Sequence, residues 1–278
     1  MVLFIIGIGL ADETDISLKG LERIKLSEAV YLECYTSILF QSSLAKMEQL
    51  YGKPVIVLDR ESIEGEKTME QILLKAKTAN ISILVVGDPF CATTHTDLYL
   101  RAVKLGVVVN VVHNASIMSA VGASGMQVYR FGEAVSVPFF TAKWRPYSFY
   151  EKILGNRKSG LHTLVLLDIK VKEPTEESLL KGKPVYAPPR YMSVNVAAEQ
   201  LLETEEAKKG NAYNEKTRCI AMARVGADTQ TIVAGTLAQM KTVDVGGPLH
   251  SMVMCAEELH PIELEMYEFY CLKGSVKT

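Results

Sequence analysis

The feature that most constrains the fold is a run of short, continuous apolar segments, each parted from the next by a stretch of helical spacing. Val2–Ile8, Val30–Cys34, Pro54–Leu58, Ile81–Val86 and Val107–Val112 are strand candidates, rich in Val, Ile and Leu. Ile16–Leu26, Ser42–Tyr51, Glu64–Ala79 and Thr96–Leu105 space their apolar residues as helices, with Asp15 or Ser17 available to cap the first. A strand that is apolar at every position needs cover on both faces, and strands joined through a helix run parallel. This part is therefore expected to be α/β with a mostly parallel sheet, in which Ile81–Val86 and Val107–Val112 are buried strands. Ligands are expected beyond the carboxyl ends of such strands.

The pattern changes after Asn114-Ala115-Ser116. A glycine-bearing helical stretch (Gly122, Gly125) is followed by strand candidates at Ala134–Val137, Thr163–Asp168, Cys219–Val225, Thr231–Ala234 and His250–Cys255. Helices fit Pro146–Asn156, Val194–Lys208 and Pro261–Cys271, with loops at Lys170–Arg190 and Glu203–Lys216, the latter overlapping a helix end. Strands spaced irregularly among helices point to an α+β domain. The expected division is an N-terminal α/β domain over 1–113 and a C-terminal α+β domain over 114–278.

Composition narrows the function classes. The 278 residues are 48% hydrophobic and 22% charged, with a net charge of −2, so no general affinity for nucleic acid or an anionic membrane is expected. No apolar run approaches the roughly 18 residues that span a bilayer. MVLFIIGIG runs straight into Ala11-Asp12-Glu13 and reads as a first strand, not a signal peptide. Five scattered cysteines without a C-x-x-C pair suit reduced thiols in the cytoplasm. The five histidines have no metal-ligand spacing, so no metal is expected, and no phosphate loop or nucleophile elbow is present.

Three stretches carry candidate chemistry. Gly7-Ile8-Gly9 opens like a dinucleotide fingerprint, but its third glycine position is Asp12, and an acid there opposes a pyrophosphate. A nicotinamide or flavin is thus disfavoured. In VVGDPFCATTHTDL (85–98), Gly87 allows an unusual backbone angle and Pro89 fixes the next turn. Asp88 then stands at the strand edge, either as a turn cap or as a ligand group that is solvated in the empty protein. Ser116 is a ready cap for the segment after it, and His250 opens an apolar strand.

In sequence order, GIGLADETDISLKGL (7–21), VYLECYTS (30–37), VVGDPFCATTHTDL, VHNASIMSAVG (112–122), HTLVLLDIK (162–170), PPRYMSVN (188–195), ARVGAD (223–228), AGTLAQM (234–240) and PLHS (248–251) closely resemble the diphthine synthases. These belong to the tetrapyrrole methylase-like group of S-adenosylmethionine-dependent methyltransferases. The resemblance spans nearly the whole chain and is strongest to the eukaryotic branch. Ala11 and Cys91 depart from the family's commonest form, each as a small residue where glycine is frequent.

The resemblance implies a two-domain tetrapyrrole methylase-like fold with S-adenosyl-L-methionine in the interdomain cleft and S-adenosyl-L-homocysteine as product. By matching positions it implies cofactor contacts at Leu10, Asp88, Cys91, Ser116, Ile117, Leu167, Val225 and His250. It also implies a homodimer, and translation elongation factor 2 as protein substrate, methylated on a histidine bearing a 3-amino-3-carboxypropyl group. In the eukaryotic branch the amine takes three methyls and the carboxylate a fourth. No catalytic base is assigned. The competing readings are a methyltransferase of the same fold acting on a tetrapyrrole or other small molecule, and a non-catalytic partner of elongation factor 2.

Overall fold

The computed structural model describes residues 1–33, 39–58, 66–171 and 186–272, in two units, Met1–Met118 and Ser119–Thr278. Cys34, the expected helix start at Glu64 and most of the Lys170–Arg190 loop lie outside the described residues.

In the first unit, β1 (Val2–Gly7), β2 (Ala29–Glu33), β3 (Val55–Leu58), β4 (Ile81–Val85) and β5 (Val108–Val112) form one sheet in the order β3-β2-β4-β1-β5. Every neighbouring pair is parallel. The pleat sends alternate residues of β1 to opposite faces. Phe4 and Ile6 pack with Ile24 of α1 (Leu18–Leu26) and Met47 and Tyr51 of α2 (Leu44–Tyr51). Leu3 and Ile5 pack with Ile72 and Leu73 of α3 (Glu66–Lys75) and Leu98 and Ala102 of α4 (His95–Lys104). Two apolar faces thus receive two pairs of amphipathic helices. Of the two caps available to α1, Ser17 is used, accepting the Gly20 amide at 3.1 Å, while Asp15 ends a short 3-10 turn, Glu13–Asp15.

One expectation is corrected. The strand at Val107–Val112 is not buried: Val108 is 63% exposed, because β5 forms one edge of the sheet and has a single strand beside it. An apolar run alone cannot report whether a second neighbour will be there. β4, between β2 and β1, is buried at all five positions as expected.

The strand order sets the position of the site. Adjacent β1 and β4 feed helices on opposite faces, α1 and α4, so the loops leaving their carboxyl ends diverge. That is the topological switch point at which parallel sheets hold ligands.

Helix α5 (Ile117–Ala120) contains the division between the units, a few residues past the sequence-based boundary. The second unit has a mixed sheet of β6 (Val135–Val137), β7 (Thr163–Leu167), β10 (Arg218–Ala223), β11 (Thr231–Thr236) and β12 (His250–Met254), in the order β11-β10-β12-β7-β6. Only β6–β7 is parallel; the other pairs are antiparallel. A small ribbon joins β8 (Ile169–Lys170) to β9 (Arg190–Tyr191). Helices α6 (Ser148–Lys158) and α7 (Val194–Lys208) place Phe149, Ile153, Ala197 and Leu201 on Val165, Ala221 and Met252. Short α8 (Leu237–Met240) and the longer α9 (Pro261–Leu272) complete the unit, with α9 against β11. Among the described residues no helix is long and apolar enough to cross a membrane.

The contrast between the centre and the edge of the first sheet is testable. Ile83→Ala, at a position 1% exposed, should cost roughly 2–5 kcal/mol. Val108→Ala should stay within about 0.5 kcal/mol of the parent. Urea midpoints measure both, and equal losses would contradict the strand order.

Candidate active site at the carboxyl ends of β1, β4 and β5

The loops leaving β1 and β4 touch through glycine. The Gly9 amide donates to Gly87 O at 3.3 Å, and the Gly87 amide donates to Gly9 O at 2.7 Å. Both residues have positive φ, +80° and +77°. A Cβ on Gly7 would lie 2.5 Å from Gly87 O, so no side chain fits where the loops cross. The glycines of the apparent fingerprint therefore serve the approach of one loop to another.

The amides that follow are also taken. Asp15 Oδ2 accepts from the Leu10 and Ala11 amides at 2.9 and 2.7 Å. Asp12 caps the Glu13–Asp15 turn, accepting the Thr14 amide at 2.8 Å. Donors that meet a pyrophosphate in dinucleotide folds hold a carboxylate of this chain instead. The loop suits a ligand without phosphate at this point.

Asp88 is the junction of the site. The expectation that it is solvated in the empty protein is corrected, since it is only 5% exposed. Its Oδ1 accepts the Phe90 amide at 2.9 Å, the turn-cap bond. Its Oδ2 accepts the Asn114 amide at 3.1 Å and lies 2.8 Å from His113 Nδ1. Burial pushes the carboxyl upward, but the bonds from Phe90, His113 and Asn114 together outweigh it and hold the group below the usual carboxylate range. Asn114 closes the ring by donating through Nδ2 to Gly7 O and Asp15 O, each at 3.0 Å. The three loops after β1, β4 and β5 are thus cross-linked by one acid, one amide side chain and a glycine pair.

Four of the five expected residues of this unit lie on those loops, and the fifth, Ile117, opens α5 at the end of the third. Ser116 is buried and caps α5, accepting the Met118 amide at 3.2 Å. Leu10, Cys91 and Ile117 are half-buried. The Cys91 amide closes a turn on Asp88 O at 3.3 Å, and the next residue, Ala92, has φ +59°, a left-handed conformation uncommon outside glycine. The Thr93 hydroxyl donates to Pro89 O, so the hydroxylated run after the turn holds the loop's own backbone.

In the second unit, Leu167 ends β7, Val225 follows β10 and His250 begins β12. The antiparallel registers Ala223↔His250 and Ser251↔Leu166 bring the three to one end of that sheet. His250 is fully engaged within the protein: Nδ1 accepts the Val194 amide at 3.3 Å, and Nε2 donates to Gly246 O and Gly247 O at 3.1 and 3.0 Å. Burial lowers its pKa, although the two carbonyls pull the other way, which keeps the ring neutral at pH 7.

Sequence reasoning passed over several residues that shape these regions. His113, Asn114 and Asp15 hold the first-unit loops, and the signal for two of them was an adjacent polar pair at the end of an apolar strand. Arg224 (φ +51°) reaches the carbonyls of Thr229, Val245 and Gly247 and fastens the loops around Val225 and His250; nothing in its sequence context marks it. Glu33 and His95 form a buried pair, Oε2 to Nε2 at 3.6 Å, beside the carboxyl end of β2. Burial lowers the His95 pKa against the pull of Glu33. No cluster of three or more metal-ligating side chains occurs among the described residues.

The model of tetrapyrrole (corrin/porphyrin) methylases matches residues 2–241. A Homo sapiens diphthine methyl ester synthase is 52% identical over 275 residues, covering 98% of this chain and 95% of that protein. Its Mus musculus counterpart is 51% identical, covering 100% and 99%. A crystal structure of diphthine synthase superposes with a TM-score of 0.82 at 32% identity, covering 98% of this chain and 96% of the other. The chain belongs to the tetrapyrrole methylase family, in its diphthine methyl ester synthase branch.

The Asp88 junction should carry measurable stability. Asp88→Ala leaves the partly buried Phe90 and Asn114 amides without their acceptor and should cost on the order of 2 kcal/mol at pH 7. A carboxyl held below its ordinary value stabilises the fold above the unfolded pKa, and that stability is lost as pH falls through the folded one. The difference from wild type should therefore shrink below about pH 4. Urea midpoints at pH 7 and pH 3 test this, and equal midpoints at pH 7 would remove the junction's energetic role.

Proposed function

We propose that the chain is an S-adenosylmethionine-dependent methyltransferase of diphthamide biosynthesis. Its substrate is the 3-amino-3-carboxypropyl-histidine of translation elongation factor 2, which takes three methyls on nitrogen and one on the carboxylate. The observation that carries this reading is the extent of identity to diphthine methyl ester synthases: 52% over 98% of the chain for the human protein. The small-molecule and non-catalytic readings have no comparable support.

We assign the cofactor contacts to Leu10, Asp88, Cys91, Ser116 and Ile117 in the first unit and to Leu167, Val225 and His250 in the second. Two observations support the fit. The cofactor has no phosphate, and the anion-binding amides after β1 are filled by Asp15. The half-buried positions Leu10, Cys91 and Ile117 offer apolar and small side chains to an adenine edge and a methionine tail. His250 has both ring nitrogens engaged, so its contact comes through its backbone. When bound, the cofactor supplies a methyl group on a sulfonium. The chain's part is to hold the nucleophile and methyl in line, which by itself removes much of the barrier. Asp88 and Asn114 do this indirectly, by fixing three loops against one another.

We also assign the protein to the cytoplasm, on its scattered cysteines without a C-x-x-C pair. The family resemblance supports a homodimer. Light scattering at micromolar concentration should return twice the 30.7 kDa chain mass, and a sharp monomer mass would contradict the dimer.

The decisive assay is mass spectrometry of the target histidine after incubation with chain and cofactor. The expected product carries four added methyls. An unmodified histidine, with the chain folded and S-adenosylhomocysteine bound, would contradict the assignment.

A further inference from the structure

Resting on the reading above, the three transfers to nitrogen each require an amine that has lost a proton, whereas the transfer to the carboxylate does not. The geometry points to His113 as the group that takes up those protons, with Asp88 as its positioning partner.

His113 stands directly after β5, with Nδ1 2.8 Å from Asp88 Oδ2. The two ends of this pair differ sharply in environment: the His113 side chain is 65% exposed and that of Asp88 only 7%. A carboxylate can only accept, so the proton between them sits on Nδ1 and Nε2 is left as a free base. Asp88 cannot swing away, because the Phe90 and Asn114 amides fix it. The Phe90 ring meets the imidazole edge-on, with centroids 6.0 Å apart, and Tyr99 meets Phe90 in the same way at 6.1 Å. A base held through one nitrogen by a buried acid, on a ring that is itself largely exposed, is the arrangement that nucleophile-activating sites share. Here it spans the two loops that carry Cys91 and Ser116. By contrast, His95 is buried beside Glu33, and His162 is wholly enclosed with Glu263, so neither presents a nitrogen to a ligand.

The balance of each amine step is simple. An N–H proton of the ammonium passes to Nε2, and the freed lone pair attacks the methyl carbon. The carbon–sulfur bond breaks with its electrons on sulfur, and nitrogen regains a positive charge with one hydrogen fewer. The exposed imidazolium returns its proton to water before the next cycle. The third cycle ends in a quaternary nitrogen with no proton left. Ester formation then consumes an ionised carboxylate and involves no base.

Glutamine at 113 keeps a polar side chain but cannot take up a proton. With elongation factor 2 carrying the unmethylated side chain and saturating cofactor, His113→Gln should slow each single-turnover amine step by about a hundredfold. Ester formation on separately prepared trimethylated substrate should change by less than about threefold, far below the gain attributed to a positioned base. Independently of activity, long-range proton–nitrogen spectra of the free wild-type protein should show His113 protonated on Nδ1, and Asp88→Asn should abolish that preference. Equal slowing of all four steps, unchanged amine steps, or a wild-type His113 protonated on Nε2 would each overturn the proposal. A wild-type protein that adds no methyls would instead sink the functional reading itself.

Discussion

The buried carboxylate of Asp88 is the interaction on which the first-unit site depends. It receives two backbone amides and one imidazole nitrogen from two loops, and Asn114 carries the connection to a third. An ionised group this enclosed is tolerable only with its lone pairs satisfied, because an unpaired buried charge costs several kcal/mol. Satisfying them fixes the ends of β1, β4 and β5 relative to one another. Glycine does the rest: Gly9 and Gly87 supply the positive φ of the bridge, and a Cβ on Gly7 would strike Gly87 O where the first two loops cross. The strand at 81–85 ends on Gly-Asp-Pro because each of the three has a separate task. Gly87 supplies the left-handed turn, Asp88 collects the neighbouring loop, and Pro89 shapes the way out.

The second unit reaches a comparable end by a different device. There Arg224, in a left-handed conformation, spreads its guanidinium over three backbone carbonyls, and the neutral His250 shares one of them, Gly247 O, and adds that of Gly246. One region is organised by an anion collecting amides and the other by donors collecting carbonyls. Neither needs regular secondary structure to hold its loops.

What was legible in the sequence followed from periodicity. β4 and α7 emerged nearly at their observed limits, the first as a short Ile- and Val-rich run and the second as a fifteen-residue stretch of Ala, Leu and Glu. The exposure of β5 was not legible, since being at an edge is a property of strand order, and Val107–Val112 reads the same with one neighbour or two. In the site, Asp88 and Ser116 stood out by residue type and position. The burial of Asp88 did not, because the His113 ring and the Asn114 amide that meet it come from a loop 25 and 26 residues away. Arg224 was missed because a charged side chain turned onto nearby backbone looks in the sequence like any solvated charge, and Asp15, read as a possible helix cap, instead holds the Leu10 and Ala11 amides.

The structural claim underlying the account is that the three tied loops form the cofactor-binding surface of the first unit. A crystal structure of the chain grown with S-adenosylhomocysteine tests it most directly. The account predicts ligand density in contact with Leu10, Asp88, Cys91, Ser116 and Ile117, with the Gly9–Gly87 bridge and the Asp88–His113 pair intact. Ligand density away from the carboxyl ends of β1, β4 and β5 would contradict it.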